Sequence, residues 1–271
     1  MDGIYVIKFG GNTLADPANV DSLAKELLEL QKKGAKIVVV HGGGSAISAE
    51  MKARGLTPVM VGGQRVTDEA AMEVVDEVLH RINGELVGKF TEAGEKAVGL
   101  GAFMFTMSAV RPPYHVVEDG VEKVYDMGLI GYVTDVDPNP VLDLLEAGVI
   151  PVVYPVGTDG KRKLNINADT MSGGIAVGIG AEELLAVTDV PGILRNYPDM
   201  DSKIDRVTLK EIDELIASGV ISGGMIPKVE AAAAAVKSGA KAVRMVNGTG
   251  GKNEISRSIN GEPLGTLIVK E

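Results

Sequence analysis

Two short apolar runs that empty straight into glycine turns limit the folds open to this chain more than any other feature. Ile4–Phe9 (IYVIKF) leads into Gly10-Gly11-Asn12, and Lys36–His41 (KIVVVH) leads into Gly42-Gly43-Gly44. Between them, Val20, Leu23, Leu27, Leu28 and Leu30 recur at helical spacing over 17–33, with Pro17 near the start and Gly34 beyond the end. Strand, helix and strand in that order are the unit of a parallel sheet. Ligands of such sheets bind outside the carboxyl ends of the strands, where both turns lie. Glycine there permits positive φ and close approach of the backbone. A helix that starts after the turn offers free N–H groups to an anion, and Lys8 adds a point charge. Neither turn carries G-x-G-x-x-G or G-x-x-x-x-G-K-[ST], so dinucleotide and Walker-type sites lack their fingerprint. One glycine would serve a tight turn, whereas three before a helix favour an anion site.

The alternation continues. Thr67-Asp68-Glu69 opens a long helix, with Thr67 or Asp68 as its cap and acids in its first turn. It carries Met72, Val75, Val78 and Leu79 and extends to Phe90. Buried strands are expected at 98–103, 149–154, 184–187, 242–246 and 267–269. Helices are expected at 45–54, 141–147, 170–178, 208–218 and, opened by Gly223-Gly224-Met225-Ile226-Pro227-Lys228, on to about Ser238. Residues 111–136 break the pattern. Asp119-Gly120 between β-prone runs is a hairpin signal, which predicts an antiparallel, partly exposed excursion and raises the idea of a lid over 114–126. The expectation is an α/β fold of parallel strands with helices on both faces and no internal repeat.

Composition narrows the chemistry. Of 271 residues 45% are hydrophobic and only 4% aromatic, with no Trp, so the core must be aliphatic. A net charge of −10 argues against nucleic acid or an anionic membrane as main partner. Cysteine is absent, which excludes disulfides, thiolate metal sites and Cys nucleophiles and fits a cytoplasmic protein. The start runs directly into a strand, and neither a signal peptide nor a membrane span is expected.

Polar residues gather at strand ends and helix starts. Lys8, Gly43 and Gly44 come from the first half, and Asn165, Asp169, Thr188, Asp189 and Lys228 from the second. Lys228 opposes a helix dipole at the first turn of its helix, which a nearby anion would turn to advantage; a solvated lysine is the other reading. Asp169 alone reads as an N-cap and Asn165 as a turn residue. Arg65 either grips a carboxylate or is a surface charge. His41, His80 and His115 show no metal spacing. His41, at the end of a buried strand, reads as a packed, hydrogen-bonded side chain.

KFGGN, VVVHGGG, GGQRVTD, NINAD, TDVPG and GGMIPKV occur in this order along nearly the whole chain. Together they resemble the amino acid kinase family. The resemblance implies a three-layer α/β/α sandwich around a mostly parallel sheet of about eight strands. It implies one domain over 1–271, with residues 1–160 binding an acyl amino acid and 161–271 binding ATP. The implied reaction is ATP-dependent phosphorylation of the γ-carboxylate of N-acetyl-L-glutamate, a step of arginine biosynthesis, with Mg²⁺ borne by the nucleotide and no protein metal site.

The resemblance also implies roles. Lys8 and Lys228 would contact the transferred phosphoryl group from opposite sides, with Asp169 orienting both. Backbone at Gly10, Gly11, Gly43 and Gly44 would hold phosphoryl and substrate oxygens. Arg65 and Asn165 would grip the substrate's α-carboxylate. Thr188, Asp189, Gly192 and Met225 would line the nucleotide pocket. Gln64 departs from the apolar residue usual before Arg65. Two rival readings remain. One is a kinase for aminoadipate or glutamate on an acidic carrier protein, steered by Lys161-Arg162-Lys163; the other is a non-catalytic binding protein. A homodimer paired along the 68–90 helix, without the extra N-terminal helix of arginine-inhibited relatives, is also implied.

Overall fold

The computed structural model describes residues 3–14, 16–118, 121–249 and 251–271. The first half runs β1 (Ile4–Phe9), α1 (Gly11–Leu14), α2 (Pro17–Lys32), β2 (Lys36–His41), α3 (Gly44–Ala53), β3 (Met60–Val61), β4 (Gln64–Arg65), α4 (Glu69–Glu92) and β5 (Ala97–Gly101). The middle runs β6 (Thr106–Val110), β7 (Tyr114–Glu118), β8 (Val121–Tyr125), β9 (Ile130–Val136), α5 (Asn139–Glu146), β10 (Ile150–Tyr154), β11 (Val156–Thr158) and β12 (Lys163–Ile166). The last part is α6 (Ala168–Gly178), β13 (Glu183–Thr188), β14 (Arg206–Thr208), α7 (Leu209–Ala217), α8 (Met225–Lys237), β15 (Val243–Asn247), α9 (Glu254–Ile259) and β16 (Thr266–Val269).

Eight strands form one sheet in the order β14-β16-β15-β13-β1-β2-β10-β5. Its pairs are parallel except β15–β16. Successive side chains of a strand face opposite sides, and here both sides are covered. Ile7, Phe9, Ile37, Val39 and Val152 pack with Leu23, Leu27 and Leu30 of α2, Leu86 and Phe90 of α4 and Ile255 of α9. Val6, Val38, Val40 and Val153 pack on the other side with Val141 and Leu145 of α5, Met171 and Ile175 of α6 and Val229 of α8. The result is the expected three-layer α/β/α sandwich, and the double burial is why its strands read as unbroken apolar runs. Phe90 is fully buried, and truncating such a ring to Ala costs about 3–5 kcal/mol.

Other parts differ from expectation. The strand expected at 98–103 ends at Gly101, because Ala102–Met104 turns into a short 3₁₀ helix. A second sheet, ordered β11-β12-β9-β6, was not legible at all. Its strands are short and mostly pair across long sequence separations, and local periodicity carries no record of that. The expected hairpin forms between β7 and β8, with Tyr114 opposite Tyr125; its Asp119-Gly120 tip lies outside the described residues. A smaller hairpin, β3–β4, turns on Gly62 and Gly63, whose φ values of 54° and 75° suit a two-residue turn with both central residues left-handed. Tyr114 packs on this hairpin so closely that a Cβ at Gly62 would lie 2.5 Å from its ring.

Candidate active site

β1 lies between β2 and β13, in register so that Lys8 stands beside Val40 and Ala186. Its carboxyl end therefore meets both halves of the sheet. Lys8 is 8% exposed, and its Nζ lies 2.7 Å from Asp169 Oδ1. Asp169 is free to do this because it does not cap α6. Asn167 does: its side-chain oxygen accepts from the N–H groups of Asp169 at 2.8 Å and Thr170 at 3.3 Å. The N-cap reading of Asp169 is thus corrected by two positions, and its carboxylate points to the end of β1. Asp169 bonds one of the two lysines rather than both, for Lys228 Nζ lies 3.5 Å from Asp189 Oδ1.

The glycines have reasons other than positive φ, since Gly10, Gly42, Gly43 and Gly44 all stay outside the left-handed region. A Cβ at Gly43 would lie 2.9 Å from both Leu79 and Ile82 of α4, so this glycine admits the long helix. A Cβ at Gly44 would meet nothing within 4 Å and would project into open space at the start of α3. His41, fully buried at the turn, is held on both sides. Its Nδ1–H donates to Gly42 O at 3.0 Å, and its Nε2 accepts from Asn83 Nδ2 at 3.1 Å. Burial pushes its pKa down to about 4, so the ring is neutral and structural, as read from its place on β2.

Arg65 is the least ordinary residue of the site. It is 7% exposed, yet among the described residues it has no acidic partner. Its guanidinium donates to Gly44 O at 3.0 Å, to Ser48 Oγ at 2.7 Å and to Met51 Sδ at 3.2 Å, all neutral. Desolvation lowers its pKa. A charge buried without a counter-charge is costly unless an anion arrives, so the surface-charge reading of Arg65 falls. Asn165 is positioned next to it through Thr67: Asn165 Nδ2 donates to Thr67 Oγ1 at 3.0 Å, and Thr67 Oγ1 donates to Arg65 O at 2.8 Å. Ser48 was not singled out from the sequence, and Thr67 was read only as a candidate cap of the long helix, a place that Asp68 takes. Their signal was present, as a hydroxyl one helical turn after Gly44 and another two residues after Arg65.

Two cavities open at this point. One, of about 190 Å³, is lined by Arg65, Gln64, Asn165, Gly43, Gly44 and Ile47 among others. The second, of about 210 Å³, is lined by Thr13, Thr188, Asp189, Lys228 and Met245 among others. Lys8, Gly10 and Asp169 belong to both. Thr188 is fixed by its own turn, its hydroxyl donating to Val190 O at 2.9 Å. Gly11 opens α1 beside them. Gly192 and Met225 line neither cavity. Gly192, at φ 141°, sits where a Cβ would lie 2.5 Å from Thr266 Oγ1, and Met225 packs against the core. The basic run at 161–163 is largely committed to this chain: Arg162 pairs with Asp159 at 2.9 Å, and Lys163 pairs with Asp76 at 2.7 Å and stands 4.6 Å over the Phe103 ring.

Comparison with known proteins identifies the family. The profile of the amino acid kinase family matches residues 3–247. A Methanothermobacter thermautotrophicus protein named acetylglutamate kinase is 38% identical over 98% of this chain and 92% of its own length. A Methanosarcina mazei protein of the same name is 39% identical over 98% of this chain and 93% of its own. A crystal structure of a Streptococcus mutans protein superposes with a TM-score of 0.77 at 27% identity, over 100% of both chains. With a matching profile over most of its length, the sandwich that the sequence implied and a lysine-lined cleft at the ends of its central strands, the chain belongs to the amino acid kinase family.

Proposed function

We propose that this protein transfers the γ-phosphoryl group of Mg·ATP to the γ-carboxylate of N-acetyl-L-glutamate. The observation that carries the reading is the pair of cavities that meet at the Lys8–Asp169 ion pair, one holding a buried arginine without an acidic partner and the other holding Lys228. Curated relatives across nearly the whole chain bear the matching name.

The chemistry follows from the residues. Arg65 and Asn165 grip the substrate's α-carboxylate in the first cavity, with a planar guanidinium fork matched to two carboxylate oxygens. The γ-carboxylate then faces Lys8. It is already ionised near neutral pH, since such a group has a reference pKa of about 4.3, so no general base is needed. One of its oxygens bonds to the γ-phosphorus while the bond from that phosphorus to the β–γ bridging oxygen breaks. The products are an acyl phosphate and ADP, and no proton moves. Phosphoryl transfer of this kind calls for alignment and charge neutralisation. Lys8, Lys228 and the backbone N–H groups of Gly11, Gly43 and Gly44 provide both. Asp169 holds Lys8 in place. The metal is taken as part of the nucleotide substrate. Asp169 and Asp189 each face a lysine, and among the described residues no group of three ligating side chains could hold a metal.

Residues 1–160 supply the acceptor wall and 161–271 most of the nucleotide wall, with Asn165 and Asp169 reaching across. A cytoplasmic homodimer joined along α4 is proposed on the family resemblance alone. Light scattering at the mass of two chains would support it, and the mass of one chain would refute it. Among the described residues no helix is long and apolar enough to cross a membrane.

The test is ADP release with hydroxylamine trapping, run in parallel on N-acetyl-L-glutamate, N-acetyl-L-aspartate and N-acetyl-L-aminoadipate. Hydroxamate from the glutamate derivative alone supports the reading. No hydroxamate from any of the three overturns it.

A further inference from the structure

Thr13 carries a hydroxyl that the fold does not account for. It lies on α1, directly after β1, and is fully buried, yet among the described residues its Oγ1 has no hydrogen-bond partner. A helical threonine ordinarily turns its hydroxyl to the carbonyl four residues back. Here that carbonyl is Phe9 O, which accepts from Gly42 N at 3.2 Å instead. The threonine methyl faces Gly248, where a Cβ would lie 3.4 Å from Thr13 Cγ2. Leaving a buried donor unmade is costly, so something should collect the bond. Thr106 and Ser108 also bury unpartnered hydroxyls, but both lie on β6 and line neither cavity of the site. Thr13 lines the second cavity, together with Lys8, Asp169 and Lys228.

We propose that Thr13 Oγ1 donates a hydrogen bond to a non-bridging phosphate oxygen of the bound nucleoside triphosphate. The proposal rests on the phosphotransfer reading above and adds to it a neutral donor on the nucleotide side. The two lysines supply charge, and the buried hydroxyl adds a neutral, directional donor beside them. Together they hold the triphosphate in one orientation toward the first cavity.

Thr13→Val keeps the shape and removes the donor, and Thr13→Ser keeps the donor and removes the methyl. The readouts are Mg·ATP affinity by titration calorimetry, KM for N-acetyl-L-glutamate, and melting temperature without ligand. A hydrogen bond to an ionised group corresponds to a loss of roughly 10- to 100-fold when it is removed. Thr13→Val should therefore bind Mg·ATP that much more weakly, keep its KM for the acceptor, and melt no lower than the wild type. Thr13→Ser should stay within a few-fold of the wild type. Thr13→Val binding Mg·ATP as tightly as the wild type would overturn the proposal. So would Thr13→Ser binding as weakly as Thr13→Val, which would assign the effect to the methyl. Should Thr13→Val fold poorly, Thr13→Ala against Thr13→Ser gives the same contrast. A wild type that binds no Mg·ATP would overturn the phosphotransfer reading itself, which is a different result from these.

Discussion

The two lysines of the site do the same kind of work under opposite conditions. Lys8 stands on a central strand, its side chain 10% exposed and 2.7 Å from Asp169. Lys228 stands in the first turn of α8, its side chain 41% exposed and 3.5 Å from Asp189. The first is set before any substrate arrives, and a preorganised charge needs no rearrangement when charge develops in the transition state. The second keeps its rotamer freedom, is screened by solvent and gives up entropy when it engages a phosphate. One half of the cleft is thus rigid and the other adjustable. A kinase needs both, because the acceptor must be held still while the nucleotide enters and its diphosphate leaves.

The largest expected effect is on the rigid half. Lys8→Met should lower kcat by about 10³-fold and Lys228→Met by about 10²-fold, the scale of removing one transition-state donor. Steady-state kinetics would break the comparison if the two losses were equal.

Acid should loosen the rigid half as well. His41 holds the Gly42 turn, and its pKa falls from 6.5 to about 4 on folding. Between those values the unfolded chain takes up a proton that the fold refuses, so stability falls as pH drops through this window. The slope is about 1.4 kcal/mol per unit, roughly 3 kcal/mol in all. Glu95 opposes this. Burial raises its carboxyl to about 7, so the stability it contributes in its protonated form is lost as pH rises from 4.5 through 7. Burial also raises the Glu26 carboxyl, so denaturant unfolding of the double variant Glu26→Gln, Glu95→Gln from pH 7 to 4.5 isolates the histidine from both, and a flat profile would count against its role.

Arg65 sharpens the comparison from the acceptor side. Arg65→Lys should raise KM for N-acetyl-L-glutamate by about 10²-fold with kcat nearly unchanged, because an ammonium cannot match the planar fork. Arg65→Met should melt at or above the wild-type temperature without ligand, since it removes a buried charge that lacks an anion, and should lose the rise in melting temperature that N-acetyl-L-glutamate gives the wild type. Calorimetry reads both. The smallest effect belongs to the adjustable pair. Asp189→Asn should change kcat by only about threefold, as exposed ion pairs contribute little. A loss as large as that of Lys8→Met would erase the distinction between the halves.

Much of this was legible in the sequence where burial is complete. β1 and β2 begin and end where the apolar runs do, because strands covered on both faces are apolar on both, and the polar exception, Lys8 near the end of β1, belongs to the site. The long helix announced itself at Asp68, which accepts from Ala71 N at 2.8 Å. The site was legible as a set of residue types near strand ends but not as a set of partners. That Asp169 meets Lys8, and that Asn167 frees it to do so, depends on two segments far apart in the chain. Cap positions shift by a residue or two without changing the helix pattern. Arg65 was ambiguous for a related reason. Its guanidinium is buried against Gly44, Ser48 and Met51 of α3, and the two-residue strand that carries it leaves no periodicity to read. The second sheet was hidden in the same way.

The most direct measurement is a crystal structure with N-acetyl-L-glutamate and the β,γ-imido analogue of ATP bound together. Convergence on Lys8 is the expected result, with the acceptor's α-carboxylate on Arg65, its γ-carboxylate within reach of Lys8 Nζ, and the terminal phosphate between Lys8 and Lys228. A nucleotide or acceptor seated away from the Lys8–Asp169 pair would contradict the claim that the two cavities form one transfer site.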